Sequence, residues 1–423
     1  MNIKNGLFDF IEKSPTAQHA AANVAARLAD AGYTELCERF TTDLAADGRY
    51  FLRRGGAVIA FRMREDIKSF SITASHSDSP ALRLRHEPSI RGEYTSLSVE
   101  RYGGAVNHTW LDRPLALAGR VMVAEDVGIR ERLVTIDEDV AVIPGVAPHV
   151  MRDVNSSFAP NPAVDMKPLY SIGEASLMEK VASTLGIRAE DIASHELYLV
   201  SRARPLLFGA SGELILAPRI DDLASVYTAL EAFLAAPDTE AVPMLCVFDH
   251  EEVGSETKEG AASNMLSELL EVICPDGARL KAALSASLML SVDGAHAHHP
   301  NHPELSDPTN RPILGGGVAV KYNANRKYAT DLLSDALLRS IAARAGIALQ
   351  SFANRADLPG GTTLGSIAAL ALSVPTVDIG IPQLSMHSIA ETCAASDVIG
   401  MYELLLAFYS STTEKRGEAY IVK

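Results

Sequence analysis

The stretch VPMLCVFDHEEVG, Val242 to Gly254, sets seven uncharged residues directly before an acidic cluster of Asp249, Glu251 and Glu252. A short apolar run that ends on polar residues predicts a buried strand. Like charges at the mouth of such a strand repel one another and resist desolvation, so something at that point must offset them. In open α/β sheets, ligands bind in the crevice beyond the carboxyl ends of the strands. The stretch thus predicts a fold class and a site together.

Outward from it, SFSITAS (69–75), SLMLSV (287–292) and VPTVDIGI (374–381) read as further strands. PTAQHAAANVAARLADAG (15–32), DDLASVYTALEAFLAA (221–236) and YATDLLSDALLRSIAARAG (328–346) show helical spacing. The first of these helices is expected to start at Ser14-Pro15 and to close on Gly32. Alternation of the two element types predicts an α/β sandwich. The texture changes from about Arg91 to Arg204, where short runs and turns surround the long loop APHVMRDVNSSFAPNPAVDMKP. The expected organisation is an α/β domain in two parts, residues 1–91 and 205–423, split by a mostly-β insertion over 92–204.

With 423 residues and 47% hydrophobic content, the chain can build a large core. A net charge of −15 argues against nucleic acid or an anionic membrane as the main partner. Cys37, Cys246, Cys274 and Cys393 form no C-x-x-C pair, which fits a reducing compartment and excludes a cysteine zinc module. MNIKNGLFDFIEKSP lacks the apolar stretch of a signal peptide, and SIAALALSVP is too short for a membrane span. A soluble, cytoplasmic protein is expected.

Five places set acidic or histidine side chains at the carboxyl end of a strand-like run: SHSDSP (His76, Asp78), APRIDDL (Asp221, Asp222), FDHEEVG (Glu251, Glu252), SVDGAH (Asp293) and LSMHS (His387). Residues i and i+2 of an extended chain share a side, so His76 and Asp78 can act as a unit. One imidazole nitrogen would hold a metal while the carboxylate takes the N–H of the other. Glu251 and Glu252 point apart, so one is expected on a metal and the other free as a base. Two histidines and three carboxylates, one of them bridging, suit a pair of Zn²⁺ ions in a hydrolase, and Mn²⁺ or Co²⁺ could take the same ligands.

These residues resemble the aspartyl aminopeptidases, dinuclear zinc metallopeptidases. The likeness runs from FDFIEKSPTAQHA through VERYGG and HTWLDRPLALAGRV to DIGIPQLSMHSIAE, with PRIDDL, EEVGS, AHAHHPN and VKYNANRKYATD between. It implies removal of N-terminal residues, preferentially Asp or Glu, from peptides with a free N-terminus. It implies His76, Asp221 and Asp293 as ligands of one zinc, and Asp221, Glu252 and His387 as ligands of the other. Glu251 takes the part of general base, and Asp78 that of the carboxylate orienting His76. Lys321 matches the lysine that meets an acidic substrate side chain. His149 in PHVMR matches a lid histidine that reaches a neighbouring subunit's site. His296, three residues after Asp293, is expected to touch substrate; His298, His299 and His302 read as loop. The resemblance further implies a three-layer α/β sandwich peptidase domain with a central mixed sheet, an inserted dimerisation or lid domain, and a tetrahedral dodecamer.

Three departures stand out: Asp222 where the family usually has Asn, adding negative charge beside the metals, a looser NRADLPGGTTLGS stretch, and extra charge beyond the glutamate pair in DHEEVGSETKEGA. Two other classes share much of this pattern. One is another dinuclear zinc hydrolase, such as a deacylase or carboxypeptidase; the other is an inactive shell protein of the same fold.

Overall fold

The computed structural model describes residues 2–37, 44–417 and 419–423. The strand Val242–Phe248 forms where the uncharged run places it, and all of its residues are buried. It pairs in parallel with Phe70–His76, which pairs in parallel with Leu288–His296, and that strand pairs in parallel with Thr376–Leu384. These four strands are the middle of a mixed sheet of twelve strands among the described residues.

Side chains alternate between the faces of a strand. Leu245 and Val247 join a core with the helices Ala17–Asp30, Ile220–Ala235 and Ala395–Tyr409. Met244, Cys246 and Phe248 face the other way, into a core with Met265–Ile273 and Leu364–Leu372. Helices therefore cover both faces. That cover is why Val242–Phe248 reads as a continuous apolar run rather than as an alternating pattern.

Register assembles the site. Phe248 lies beside His76 and Ser291 beside Ala74, so two residues on, Asp293 comes level with His76. Because the strands run in one direction, their carboxyl ends open on one edge.

Among the described residues, a second, antiparallel sheet of six strands has the order Gly128–Ala141, Leu115–Glu125, Ile192–Ser201, Ala81–Ile90, Tyr94–Tyr102, Leu169–Ile172. It has its own core, which includes Trp110, Leu117 and Leu199, together with Val181 of the helix Leu177–Leu185. The strand Ala81–Ile90 lies upstream of residue 92, the expected start of the insertion. Among the described residues, no helix is long and apolar enough to cross a membrane.

Three local expectations are corrected. The first long helix starts at Ala17 with Thr16 as its N-cap, and the Thr16 hydroxyl bonds His19 Nδ1 at 2.8 Å instead of capping a backbone amide. The helix expected from Tyr328 begins at Leu332, where Asp331 and Ser334 form a capping box, so Tyr328 stays in a loop. The strand expected to stop at Val292 runs to His296, because residues 293–296 keep pairing with 380–383. Asp293 is therefore inside the strand.

Candidate metal centre

Four of the five candidate ligands sit where regular structure ends or bends, while Asp293 lies inside its strand. His76 closes its strand. Asp221 and Asp222 open the helix Ile220–Ala235 with non-helical backbone. Glu251 and Glu252 begin the short turn Glu251–Val253 that follows Val242–Phe248. His387 lies past the end of Thr376–Leu384 with φ at +66°, a left-handed backbone that costs a non-glycine residue about 1–3 kcal/mol. Two bonds hold it there: its N–H donates to Glu391 Oε1 at 2.7 Å, and its carbonyl accepts from the Val106 amide at 3.0 Å.

The five side chains converge. His76 Nε2 is 3.3 Å from Asp221 Oδ1 and 3.6 Å from Asp293 Oδ1. His387 Nε2 is 3.5 Å from Asp221 Oδ2 and 3.4 Å from Glu252 Oε1. The two oxygens of Asp221 thus face two different imidazoles. Bonds of about 2.0–2.1 Å to a tetrahedral ion set its ligand atoms roughly 3.3–3.4 Å apart, close to the separations found here. Asp221 Oδ1 and Glu252 Oε1 are buried and make no hydrogen bond, although each faces an imidazole nitrogen. Imidazole and carboxylate donors facing one another without bonding fit a pair of divalent ions. Ligand atoms of His76, Asp221, Asp222 and Asp293 lie within 4.8 Å of one another, as do those of Asp221, Glu252 and His387, and those of His76, Glu251 and Glu252.

The charge balance also favours cations. Burial pushes the Glu251 carboxyl up to about 8, with Asp293, Asp78 and Asp221 adding to the rise. Burial, then Asp221, holds Glu252 well above the usual carboxylate range. Burial works against a charged His76, but Asp222, Asp221, Asp293 and Asp78 outweigh it and carry its pKa well above the ordinary imidazole value. In the same way, Asp221 and Glu252 outweigh burial at His387 and raise it to about 10. Carboxylates this crowded need either protons or metal.

Surrounding groups fix the ligands. Asp78 Oδ1 lies 3.3 Å from His76 Nδ1 and accepts the Glu251 amide at 3.1 Å, while Oδ2 accepts the Glu252 amide at 3.1 Å. Glu391 bonds the amides of Asp221 (2.9 Å) and His387 (2.7 Å) with its two oxygens. Asp222 accepts the His76 amide at 3.1 Å, and burial pushes its carboxyl well above the usual range. Without metal, the neutral acid is favoured at Asp222. Asp249, the first acid of the opening stretch, is also buried but joins none of the ligand groups.

A cavity of about 310 Å³ opens beside the cluster, its wall including Glu251, His296, Lys321, Tyr328, Thr363 and His387. Lys321 is buried, with Nζ 3.2 Å from Asp293 Oδ2 and 5.6 Å from the Tyr328 ring centre. His149 lies on an exposed turn and is not part of that wall. His298 bonds Ser306 at 3.0 Å and His302 pairs with Glu304 at 3.2 Å, as loop residues do. Sequence reasoning missed Glu391, Tyr328 and Asp378. The buried Asp378 carboxylate accepts from Thr363 Oγ1 at 2.6 Å and from the Ala329 amide at 2.5 Å, tying together two loops of the cavity wall. The one available signal was position: Glu391 follows His387 by four residues and leads into the apolar run of the next helix.

A family model described as aminopeptidase I zinc metalloprotease (M18) matches residues 10–409. The chain belongs to the M18 family. It is a metal-dependent aminopeptidase of that family, with clustered histidine and acidic residues able to bind metal. A probable M18 family aminopeptidase 2 of Clostridium acetobutylicum is 38% identical over 422 residues, spanning 96% of this chain and 98% of that one. A chain of the Ape4 and Nbr1 complex, solved by cryo-EM, superposes with a TM-score of 0.92 at 33% identity, over 96% of this chain and 84% of that one. A chain of the S. cerevisiae mApe1 dodecamer gives a TM-score of 0.84 over 95% of each chain; at 24% identity this likeness is one of fold.

Proposed function

We propose that this M18 protein removes N-terminal residues, acidic ones by preference, from peptides with a free N-terminus. The observation that carries the reading is Asp221, whose two oxygens face His76 and His387 as a ligand shared by two ions would. His76, Asp221 and Asp293 would hold one ion, and Asp221, Glu252 and His387 the other. Zn²⁺ suits these donors, and Mn²⁺ or Co²⁺ could replace it. Two such ions would supply Lewis acidity and a water that ionises near neutral pH.

The chain's own residues do the rest. Asp78 holds the His76 ring with Nε2 toward the cluster. Glu251 is the carboxylate left over from the ligand sets; it takes the proton of the attacking water and hands it to the leaving amine. Acidic neighbours offer a place for the positive α-amine of the substrate, which confines cleavage to the first residue. Lys321 and His296 line the adjoining cavity, where a lysine on a chain of net charge −15 provides a local cation for an acidic side chain. The antiparallel sheet reads as the dimerisation or lid unit inserted in a three-layer peptidase domain. His149, on its exposed turn, is free to serve a neighbouring subunit of a dodecamer.

A panel of dipeptides and longer peptides differing only in the first residue tests this, each with a free or an acetylated N-terminus. Zinc-loaded protein should cleave free Asp- and Glu-peptides fastest, lose activity with a chelator, and leave acetylated peptides intact. Release of C-terminal residues, or hydrolysis of N-acyl amino acids instead, would sink the reading.

A further inference from the structure

The segment leaving the strand Tyr94–Tyr102 of the antiparallel sheet runs over the ligand cluster of the other sheet, and successive residues address different ligands. Tyr102 Oη donates to Asp78 Oδ2 at 2.7 Å. The Asp78 carboxylate also accepts the amides of Glu251 and Glu252, in the turn that follows Val242–Phe248 of the sheet that carries His76, so Tyr102 is the contribution from the antiparallel sheet. Its ring packs edge-on against Tyr198 of the strand Ile192–Ser201, with centres 5.6 Å apart, so the hydroxyl moves with the antiparallel sheet. At Gly103 an added Cβ would lie 3.2 Å from Glu252 Oε2, and at Gly104 it would lie 2.9 Å from His387 Nδ1. Val106 then donates its amide to the His387 carbonyl at 3.0 Å, and Thr109 Oγ1 accepts the Ile389 amide at 3.1 Å.

We infer that Tyr102 and Gly104 are positioning residues through which the antiparallel-sheet unit sets the affinity of each metal site separately. Tyr102 acts on the ion at His76: it fixes the Asp78 carboxylate, and Asp78 fixes the imidazole. Gly104 acts on the ion at His387, because only a residue without a side chain lets the backbone pass so close to that ring. Outer partners of metal ligands matter in this way because ring orientation and ligand basicity pass through them. The inference rests on the two-ion reading proposed above.

The test is a competition titration of chelator-stripped protein with Zn²⁺ against a chromophoric chelator, resolving two binding steps. The step that disappears in His387→Ala identifies the ion at His387. Tyr102→Phe, which keeps the ring and removes only the hydroxyl, should weaken the His76 step about 10–100-fold and leave the other within about twofold. Gly104→Ala should do the reverse. Turnover of Tyr102→Phe should recover at saturating zinc, which a merely misfolded variant would not do. Tyr102→Phe with both steps within about twofold of wild type, or with equal loss at both, overturns the inference. A wild-type chain that binds fewer than two ions overturns the two-ion reading, and this inference with it. Two wild-type steps with an unaffected Tyr102→Phe overturn the inference alone.

Discussion

Asp78 accepts the backbone N–H of Glu251 on Oδ1 at 3.1 Å, the same oxygen that lies 3.3 Å from His76 Nδ1. One carboxylate therefore lies against the ring of a candidate ligand, whose Nδ1 also bonds the Asp78 carbonyl at 3.1 Å, and anchors the backbone from which the proposed base, Glu251, projects. Asp78→Asn keeps the shape but sets an amide group among donors. It is expected to lower metal affinity about 10–100-fold, read by competition titration. Unchanged affinity would separate Asp78 from the orientation of His76.

Glu251→Gln leaves the assigned ligands in place. The variant should bind two ions and unfold as the parent does, yet lose roughly 10²–10⁴ in kcat, the usual contribution of a positioned proton carrier. Metal content by mass spectrometry and steady-state kinetics on one acidic peptide decide the matter. Near-parental turnover with both ions bound would remove Glu251 from proton transfer.

Asp221→Asn should weaken both ions, because each oxygen of Asp221 faces a different imidazole. His387→Ala should weaken mainly one. Calorimetric titration of stripped protein distinguishes them, and two tight steps in the Asp221 variant would mean that the carboxylate is not shared.

Stability of the metal-stripped protein should fall as pH rises. Burial, reinforced by Asp221, holds Glu391 near 8, and burial holds Glu251 near 8, against an ordinary value of 4.5. Between about 4.5 and 8 the folded chain retains protons that the unfolded chain releases, so unfolding free energy declines with pH in that window. The contribution is complete below the unfolded value and lost through the folded one. His387, raised to about 10, acts in the same direction above 6.5. Urea midpoints near pH 5.5 and pH 9 should differ without metal and converge with zinc. Equal midpoints without metal would mean that these groups titrate normally.

Lys321→Ala should reduce kcat/KM on Asp- and Glu-initiated peptides roughly 10–150-fold, the equivalent of about 1.5–3 kcal/mol for a charge-assisted bond, while sparing Leu- or Ala-initiated ones. Because Nζ also pairs with Asp293 at 3.2 Å, metal content should be measured alongside. An equal loss on every substrate with intact metal content would make Lys321 a support for Asp293 and not a reader of the substrate.

The strand Val242–Phe248 was legible from end to end because its cover on both faces leaves a continuous apolar signal in the chain. The candidate ligands that converge were legible for a related reason: acids and histidines following apolar runs conflict with local burial, and the conflict shows in one dimension. Asp293 was found as a residue but misplaced, since Gly294 and Ala295 look like a strand end while pairing with Thr376–Leu384 carries the strand onward. Tyr102 and Glu391 left no comparable trace. Each bonds a residue far from it in the chain, Asp78 or Asp221, and a tyrosine at a strand end or a glutamate before a helix looks ordinary until the sheets are in place. Thr16 failed as a conventional cap because His19 took its hydroxyl, a choice set by local geometry.

The strand Leu288–His296 lies between Phe70–His76 and Thr376–Leu384, and this neighbour order has a consequence for biogenesis. Domains tend to fold from the N-terminus as synthesis proceeds. Here, a nascent chain that already contains His76, Asp221, Glu252 and Asp293 still lacks the strand that leads to His387. Until that strand emerges, the carboxylates have no finished cage, and an exposed sheet edge waits for its neighbour. Completion of the candidate metal cage thus belongs to the end of translation, and a chaperone shielding that edge would act before it.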